Sequence, residues 1–265
     1  MKNIVITGSS RGIGFGMAVE FLKRGHRVTI SGRDKKTLET AANILSKQFS
    51  KERVTAVPCD VSSISDIEKL WTEASRSGNI DIWINNAGIG QGTLPTIEID
   101  VTQIDKIVDT NIKGVIFGSK IALKNMLIQG SGAIYNMEGF GSDGRKMKSM
   151  SLYGTSKYAL RYFTRSLALE ASGSPVIVGA ISPGMVVTDL LIDPISSDKP
   201  INRQASKIFH ILADRVETVT PWLVDKMLAN KKNNALFNWL NSGKVMLRFL
   251  KNLFRKRKVE GIPEY

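Results

Sequence analysis

Thr7-Gly8-Ser9-Ser10-Arg11-Gly12-Ile13-Gly14 directly follows the apolar run Ile4-Val5-Ile6 and leads into a helical pattern over residues 13–24. A glycine-rich turn between strand and helix lets the backbone approach a pyrophosphate closely. The helix amino terminus adds N–H groups and a favourable dipole for that anion. Read alone, Gly-x-x-x-Gly-x-Gly is a weak signal, because any tight strand-to-helix connection can use such glycines. The rest of the chain supplies its context.

Short apolar runs alternate with helical patterns along the sequence. The runs Ile4–Ile6, Val28–Ile30, Val54–Val57, Ile80–Ile84, Ala133–Asn136 and Val176–Ile181 read as strands, and 13–24, 35–50, 64–77, 101–129 and 153–172 read as helices. This alternation predicts an α/β fold: a Rossmann-type doubly wound parallel sheet with helices on both faces. Ligands then bind at the carboxyl ends of the strands, near the switch point. The 265 residues, 42% hydrophobic, suit one domain with a helical C-terminal tail. The expected division is a dinucleotide-binding core over 1–192, a substrate-side helical segment over 193–225 and a basic amphipathic tail over 226–265.

One cysteine, Cys59, leaves no internal disulfide framework and fits a reducing compartment. No charged head with a long apolar run precedes the first strand, so the expected location is cytoplasmic. His26 and His210 lie near no nucleophile elbow, and with a single cysteine they assemble no metal site of familiar spacing. The net charge of +13 is uneven: residues 226–265 hold ten Lys/Arg against two Asp/Glu.

Further motifs fall at strand ends. Asp60-Val61 follows the third strand and reads either as an adenine contact or as a helix cap. Asn85-Asn86-Ala87-Gly88 closes the fourth, where it reads as a turn when taken alone. Asn111 sits inside a helical pattern, a poor place for asparagine. Tyr153 and Lys157, at i and i+4, share a helix face, where an ammonium can favour the phenolate.

In this order, and with Pro183-Gly184-Met185-Val186-Val187-Thr188, these motifs resemble the classical short-chain dehydrogenase/reductase family over residues 2–192. The resemblance implies that Gly8, Ser10, Arg11, Gly12, Ile13 and Gly14 cradle a dinucleotide. It implies that Asp60 and Val61 meet the adenine, that Asn86, Ala87 and Gly88 line the cofactor cleft, and that Pro183, Gly184, Val186 and Thr188 hold the nicotinamide end. Tyr153 would donate the proton, Lys157 would anchor the nicotinamide ribose, and Asn111 would relay protons through water. The family also implies a homodimer or homotetramer, with the helices at 101–129 and 153–172 resembling its dimer surface.

The second strand ends Ser31-Gly32-Arg33, where an arginine suits the extra phosphate of NADPH and an acid would suit NAD. Arg11 offers a second contact to that phosphate. Asp34 is the counterweight, and its position fits the start of the next helix. The expected cofactor is NADPH and the expected direction is reduction.

The fifth strand continues Asn136-Met137-Glu138-Gly139-Phe140-Gly141-Ser142, with Gly139 where the family carries its catalytic serine. Losing one donor aimed at a developing oxyanion costs on the order of a hundred- to a thousandfold in rate. Ser142, or backbone N–H groups of the Gly-Phe-Gly loop, are the candidate replacements. This stretch resembles the chlorophyll(ide) b reductases, which have Asn-Met-Asp-Gly-Ala-Gly-Ser there. The likeness continues through Ser182–Leu191 and Glu217-Thr218-Val219. It implies a small-molecule carbonyl substrate of chlorin type, whose 7-formyl group is reduced to hydroxymethyl. A generic carbonyl or 3-oxoacyl reductase, and a sensor or scaffold that binds NADP(H) without turnover, stay open as alternatives.

In the tail, Met246, Phe249, Leu250, Leu253 and Phe254 fall on one helical face, and Lys244, Arg248, Lys251, Arg255 and Lys258 on the other. Such a helix either lies on an anionic membrane, a peripheral contact, or packs its apolar stripe on the protein or a partner. No recognised nucleic-acid-binding module accompanies the basic residues, so no nucleic acid partner is expected.

Overall fold

The computed structural model describes residues 1–92, 94–196 and 203–262. Seven strands form one parallel sheet: β1 Asn3–Ile6, β2 Arg27–Gly32, β3 Val54–Pro58, β4 Ile82–Asn85, β5 Gly132–Met137, β6 Val176–Ser182 and β7 Leu236–Asn238. Their spatial order is β3-β2-β1-β4-β5-β6-β7. The order reverses between β1 and β4, which makes the crevice above those two strands the switch point.

Side chains alternate along each strand and so sort into two cores. Ile4, Ile6, Ile30, Ile84 and Tyr135 face one side, packed against Met17 and Phe21 of α1 (Gly12–Lys23), Leu38 of α2 (Lys35–Gln48) and Val219 and Leu223 of α9 (Val216–Ala229). Val5, Trp83, Ile134 and Val178 face the other, against Leu70 of α3 (Ile64–Ser75), Ile121 of α5 (Gly114–Gln129) and Leu167 of α6 (Ser151–Glu170). Local chemistry sets several helix ends. Asp34 caps α2 by accepting from the Thr37 N–H at 2.7 Å, and Ser63 caps α3. Gly130, at φ 77°, closes α5 in the left-handed region.

The helix expected over 101–129 is interrupted. An α-helical turn pair, α4 (Val101–Val108), passes through a π-helical stretch, Asp109–Lys113, before α5 begins. The extra residue in that stretch turns Asn111 fully inward.

Beyond the core lie α7 (Asp189–Ser196), α8 (Arg203–Leu212) and α10 (Ser242–Phe254). Part of the expected segment 193–225, residues 197–202, lies outside the described residues. The boundary expected at 225/226 falls inside α9, and β7 adds to the sheet edge through Ala180–Leu236, Ile181–Phe237 and Ser182–Asn238 pairs. Residues of the expected tail therefore complete the sheet.

Candidate active site

The cleft forms where the glycine turn, the β4 loop, α6 and the loop after β6 meet above the switch point. Gly8 and Gly12 both adopt positive φ, and a Cβ at Gly14 would lie 2.5 Å from Asn86 Nδ2. Asn86 itself ties the turn to β4: its Nδ2 donates to the carbonyls of Thr7 and Gly8 at 2.9 and 2.8 Å. Thr7 Oγ1 accepts from the N–H groups of Asn86 and Ala87. The side chains of Asn86 and Thr7 thus build the cradle's wall, leaving the turn's glycine surfaces open toward Thr188, which a Cβ at Gly12 would meet at 3.5 Å. A bare backbone surface at a helix amino terminus fits a dinucleotide pyrophosphate.

Arg33 is exposed just past the end of β2, while Arg11 reaches across the cleft to Asp189 at 2.8 Å. The structure therefore leaves Arg33 as the guanidinium at the β2 end and gives Arg11 a carboxylate partner. Asp60 does not cap α3. Its Oδ1 accepts from Ser62 N–H and Oγ at 2.9 and 2.8 Å, which fixes the loop carrying Val61.

Asn111 and Lys157 converge beside Gly88. A Cβ there would lie 3.4 Å from Asn111 Oδ1 and 3.6 Å from Lys157 Nζ. Asn111 is held on both sides of its amide, accepting from Ile89 N–H at 2.9 Å and donating to Ile89 O at 2.9 Å and Ser156 Oγ at 3.1 Å. Lys157 Nζ donates to the Met137 carbonyl at 3.1 Å and sits 5.7 Å from the Tyr153 ring centroid. Burial pulls the lysine down to about 8, against the Glu138 carboxylate, which raises it. Burial pushes the Tyr153 phenol up to about 12. The ring keeps some solvent contact at the cleft edge. Desolvation thus outweighs the ammonium's pull expected from the i, i+4 spacing, and the phenol holds its proton at neutral pH. That suits a general acid.

Gln91 and Arg161 carry no motif, and Glu138 lies in the fifth-strand motif without a role assigned to it. Gln91, buried in the loop after β4, accepts at Oε1 from the N–H groups of Leu152 and Tyr153 at 2.8 and 3.0 Å. It caps α6, whose own N-cap residue Met150 makes no side-chain cap, and so orients Tyr153. Glu138 and Arg161 form a buried bidentate pair, Nε to Oε1 at 2.9 Å and the terminal nitrogen to Oε2 at 2.6 Å. Only the i+23 spacing separates them in sequence, and no local pattern signals that.

Ser142 is buried and its hydroxyl donates to Glu138 Oε2 at 3.0 Å, so it serves the ion pair rather than facing Tyr153. The loop that carries it is packed tightly. A Cβ at Gly141, itself at φ 91°, would lie 2.6 Å from the Gly154 Cα, so close backbone approach and a left-handed backbone both call for glycine there. At Gly139 a Cβ would lie 2.6 Å from Tyr153 Oη. The phenol occupies the space a side chain at 139 would need.

The pair predicts its own stability test. Arg161→Ala strands the Glu138 carboxylate in a site where it is nearly inaccessible. Urea unfolding should show a loss of about 3 kcal/mol, and the double variant Glu138→Gln/Arg161→Met should recover most of it.

Comparison with known proteins places this geometry. The short chain dehydrogenase profile matches residues 2–198. The probable chlorophyll(ide) b reductase NYC1 of Arabidopsis thaliana is 35% identical across 96% of this chain and 54% of its own length. The chlorophyll(ide) b reductase NOL of the same plant is 36% identical across 86% of this chain and 65% of its own. This chain thus spans between about half and two thirds of the length of these curated relatives. Among solved structures, levodione reductase superposes with a TM-score of 0.81 at 25% identity, covering 92% of this chain and 97% of that one. An actinorhodin polyketide ketoreductase with NADPH superposes at 0.80 and 26% identity, covering 90% and 95%.

Proposed function

This chain belongs to the short chain dehydrogenase family, and on that premise we propose that it is an NADPH-dependent reductase of a formyl group on a flat, chlorin-type macrocycle. NADPH supplies the hydride when bound. Tyr153 holds the proton that the carbonyl oxygen receives. Lys157 holds a positive charge beside it and is placed for the nicotinamide ribose, and Asn111, fixed by Ile89, gives Tyr153 and Lys157 a polar neighbour for proton resupply. The loop after β6, with Pro183, Gly184, Val186 and Thr188, walls the nicotinamide end.

One observation carries the substrate reading: Gly139 presents bare backbone against Tyr153 Oη, in the same stretch where the sequence resembles the chlorophyll(ide) b reductases. The phenol fills the space a side chain at 139 would take, so the substrate reading rests on the likeness of this stretch and not on added room. Supporting the chlorin class, two relatives that match most of this chain are named chlorophyll(ide) b reductases. A homo-oligomer accords with the exposed Tyr158, Tyr162 and Leu169 on α6.

The test is NADPH oxidation with chlorophyllide b against small ketones and acyl thioesters. Turnover of the chlorin at a kcat/KM well above the others supports the reading. Turnover of thioesters alone sinks the chlorin substrate and leaves a 3-oxoacyl-type reductase.

Arg33 sets the cofactor preference. Arg33→Asp removes a charge-assisted phosphate contact worth about 1.5–3 kcal/mol, so the Kd for NADPH should rise about ten- to a hundredfold with little change for NADH. Fluorescence titration of both nucleotides checks this.

A further inference from the structure

The tail helix α10 sits on the protein by its polar side. Asn241 caps it, accepting from the Lys244 N–H at 2.9 Å. Arg248 reaches inward to the buried Asp214 carboxylate at 2.6 Å and to the Leu212 carbonyl at 2.7 Å. Trp239 Nε1 and Arg257 complete the set of donors on Asp214. Burial alone would raise that carboxyl, but these hydrogen bonds and charges hold it below its ordinary value. Past the helix, Arg257 also donates to the carbonyls of Ile211 and Ala213. Asp214 in turn pairs by backbone with Met185 and Val187, within the loop that walls the nicotinamide end.

This clamp fixes which way the helix faces. Met246, Leu247, Phe249, Leu250, Leu253 and Phe254 all point outward, with Leu253 78% and Phe254 92% exposed. At 100° per residue they form one continuous apolar arc opposite Arg248. The stripe does not pack on the protein's own core. Along its flank, Lys244, Lys251 and Arg255 line a cleft of about 290 Å³ with the clamp residues Arg248 and Arg257, and Asp214 is the carboxylate paired with these two arginines. Burial, with a smaller push from Arg248 and Arg257, holds Lys244 down to about 8.

We propose that α10 is a surface anchor that lays its outward apolar face into an anionic lipid bilayer, with the basic flank meeting lipid phosphates. Its 13 residues are too short to cross a hydrocarbon core of about 30 Å. An exposed apolar arc bordered by lysine and arginine is the pattern that lies in the interface plane. A second copy is the poorer occupant, because pairing two such faces sets two strongly basic tails together, whereas anionic headgroups complement them. The Asp214 clamp joins the anchor to the nicotinamide loop, so the bilayer and the cleft share one rigid connection.

The test is sedimentation of the full chain with vesicles of phosphatidylcholine, with and without phosphatidylglycerol, which needs no turnover and so stands apart from the reductase reading. The expected result is binding to the phosphatidylglycerol vesicles, weakened by salt, and at least a tenfold drop for Leu253→Glu/Phe254→Glu. Those side chains make few contacts, and circular dichroism with NADPH titration verifies that the variant is folded. Lys251→Glu should weaken binding severalfold. Absence of binding by the natural chain overturns the proposal, as does equal binding by the double variant. Self-association that the same variant abolishes, without vesicle binding, assigns the face to a second copy instead.

Discussion

Tyr153→Phe lowers kcat for carbonyl reduction by about a thousandfold while leaving NADPH binding within a few fold of the natural chain. The phenol shares a helix face with Lys157, whose Nζ lies 5.7 Å from its ring centroid, and burial keeps it protonated at neutral pH. Removing the oxygen deletes the proposed proton donor without a change in the Gln91 cap, which acts on the backbone. The stability of the variant should therefore stay close to that of the natural chain. Steady-state kinetics alongside nucleotide titration separates these effects. A kcat that falls together with a weakened Kd would mean that the ring, and not its proton, was lost.

Gly139→Ser is the second large effect, and its direction is the informative part. In the family resemblance, serine at this position assists catalysis, so a simple restoration would raise the rate. Here an added Cβ falls 2.6 Å from Tyr153 Oη, with Lys157 Cε and Cγ next at 3.3 and 3.4 Å. The atom that must yield is the far end of the proton donor, held at its backbone by Gln91. The cost therefore falls on catalysis more than on folding. Displacing a reacting group by an ångström costs about a hundredfold, so kcat should fall by about that factor with little change in unfolding midpoint. A rise in kcat would show that the loop relaxes to the serine-bearing arrangement.

Much of the fold is legible because burial on both faces imposes a period. Ile4-Val5-Ile6 is apolar throughout, as a strand covered by helices must be, and the structure sends Ile4 and Ile6 to one core and Val5 to the other. β7 is not legible: Leu236-Phe237-Asn238 is too short to show a period, and only pairing with β6 defines it. The π-helical stretch at Asp109–Lys113 left one trace, an asparagine where a helix disfavours it. The sequence shows Tyr153 and Lys157 as neighbours, but not that desolvation would dominate both, since that depends on what covers them. Gln91 and the Glu138–Arg161 pair act through the tertiary fold across long separations, and Ser142, a candidate donor to the substrate in the sequence, is turned to Glu138 by the fold of its loop. The tail shows the same limit. Its two faces are plain in the sequence, but which one the protein holds is decided by Asp214, a buried acid that no motif marks.

Hydride transfer by a site that has glycine in place of serine is the central claim, and one measurement addresses it directly. The natural chain is incubated with chlorophyllide b and NADPH carrying deuterium on the transferable position of the nicotinamide, and the pigment is analysed by mass spectrometry. The account predicts a hydroxymethyl product bearing one deuterium on the former formyl carbon, absent with Tyr153→Phe. Saturable NADPH binding with no deuterium in this or any other carbonyl compound would contradict it, and would leave a nucleotide-binding protein without reductase chemistry.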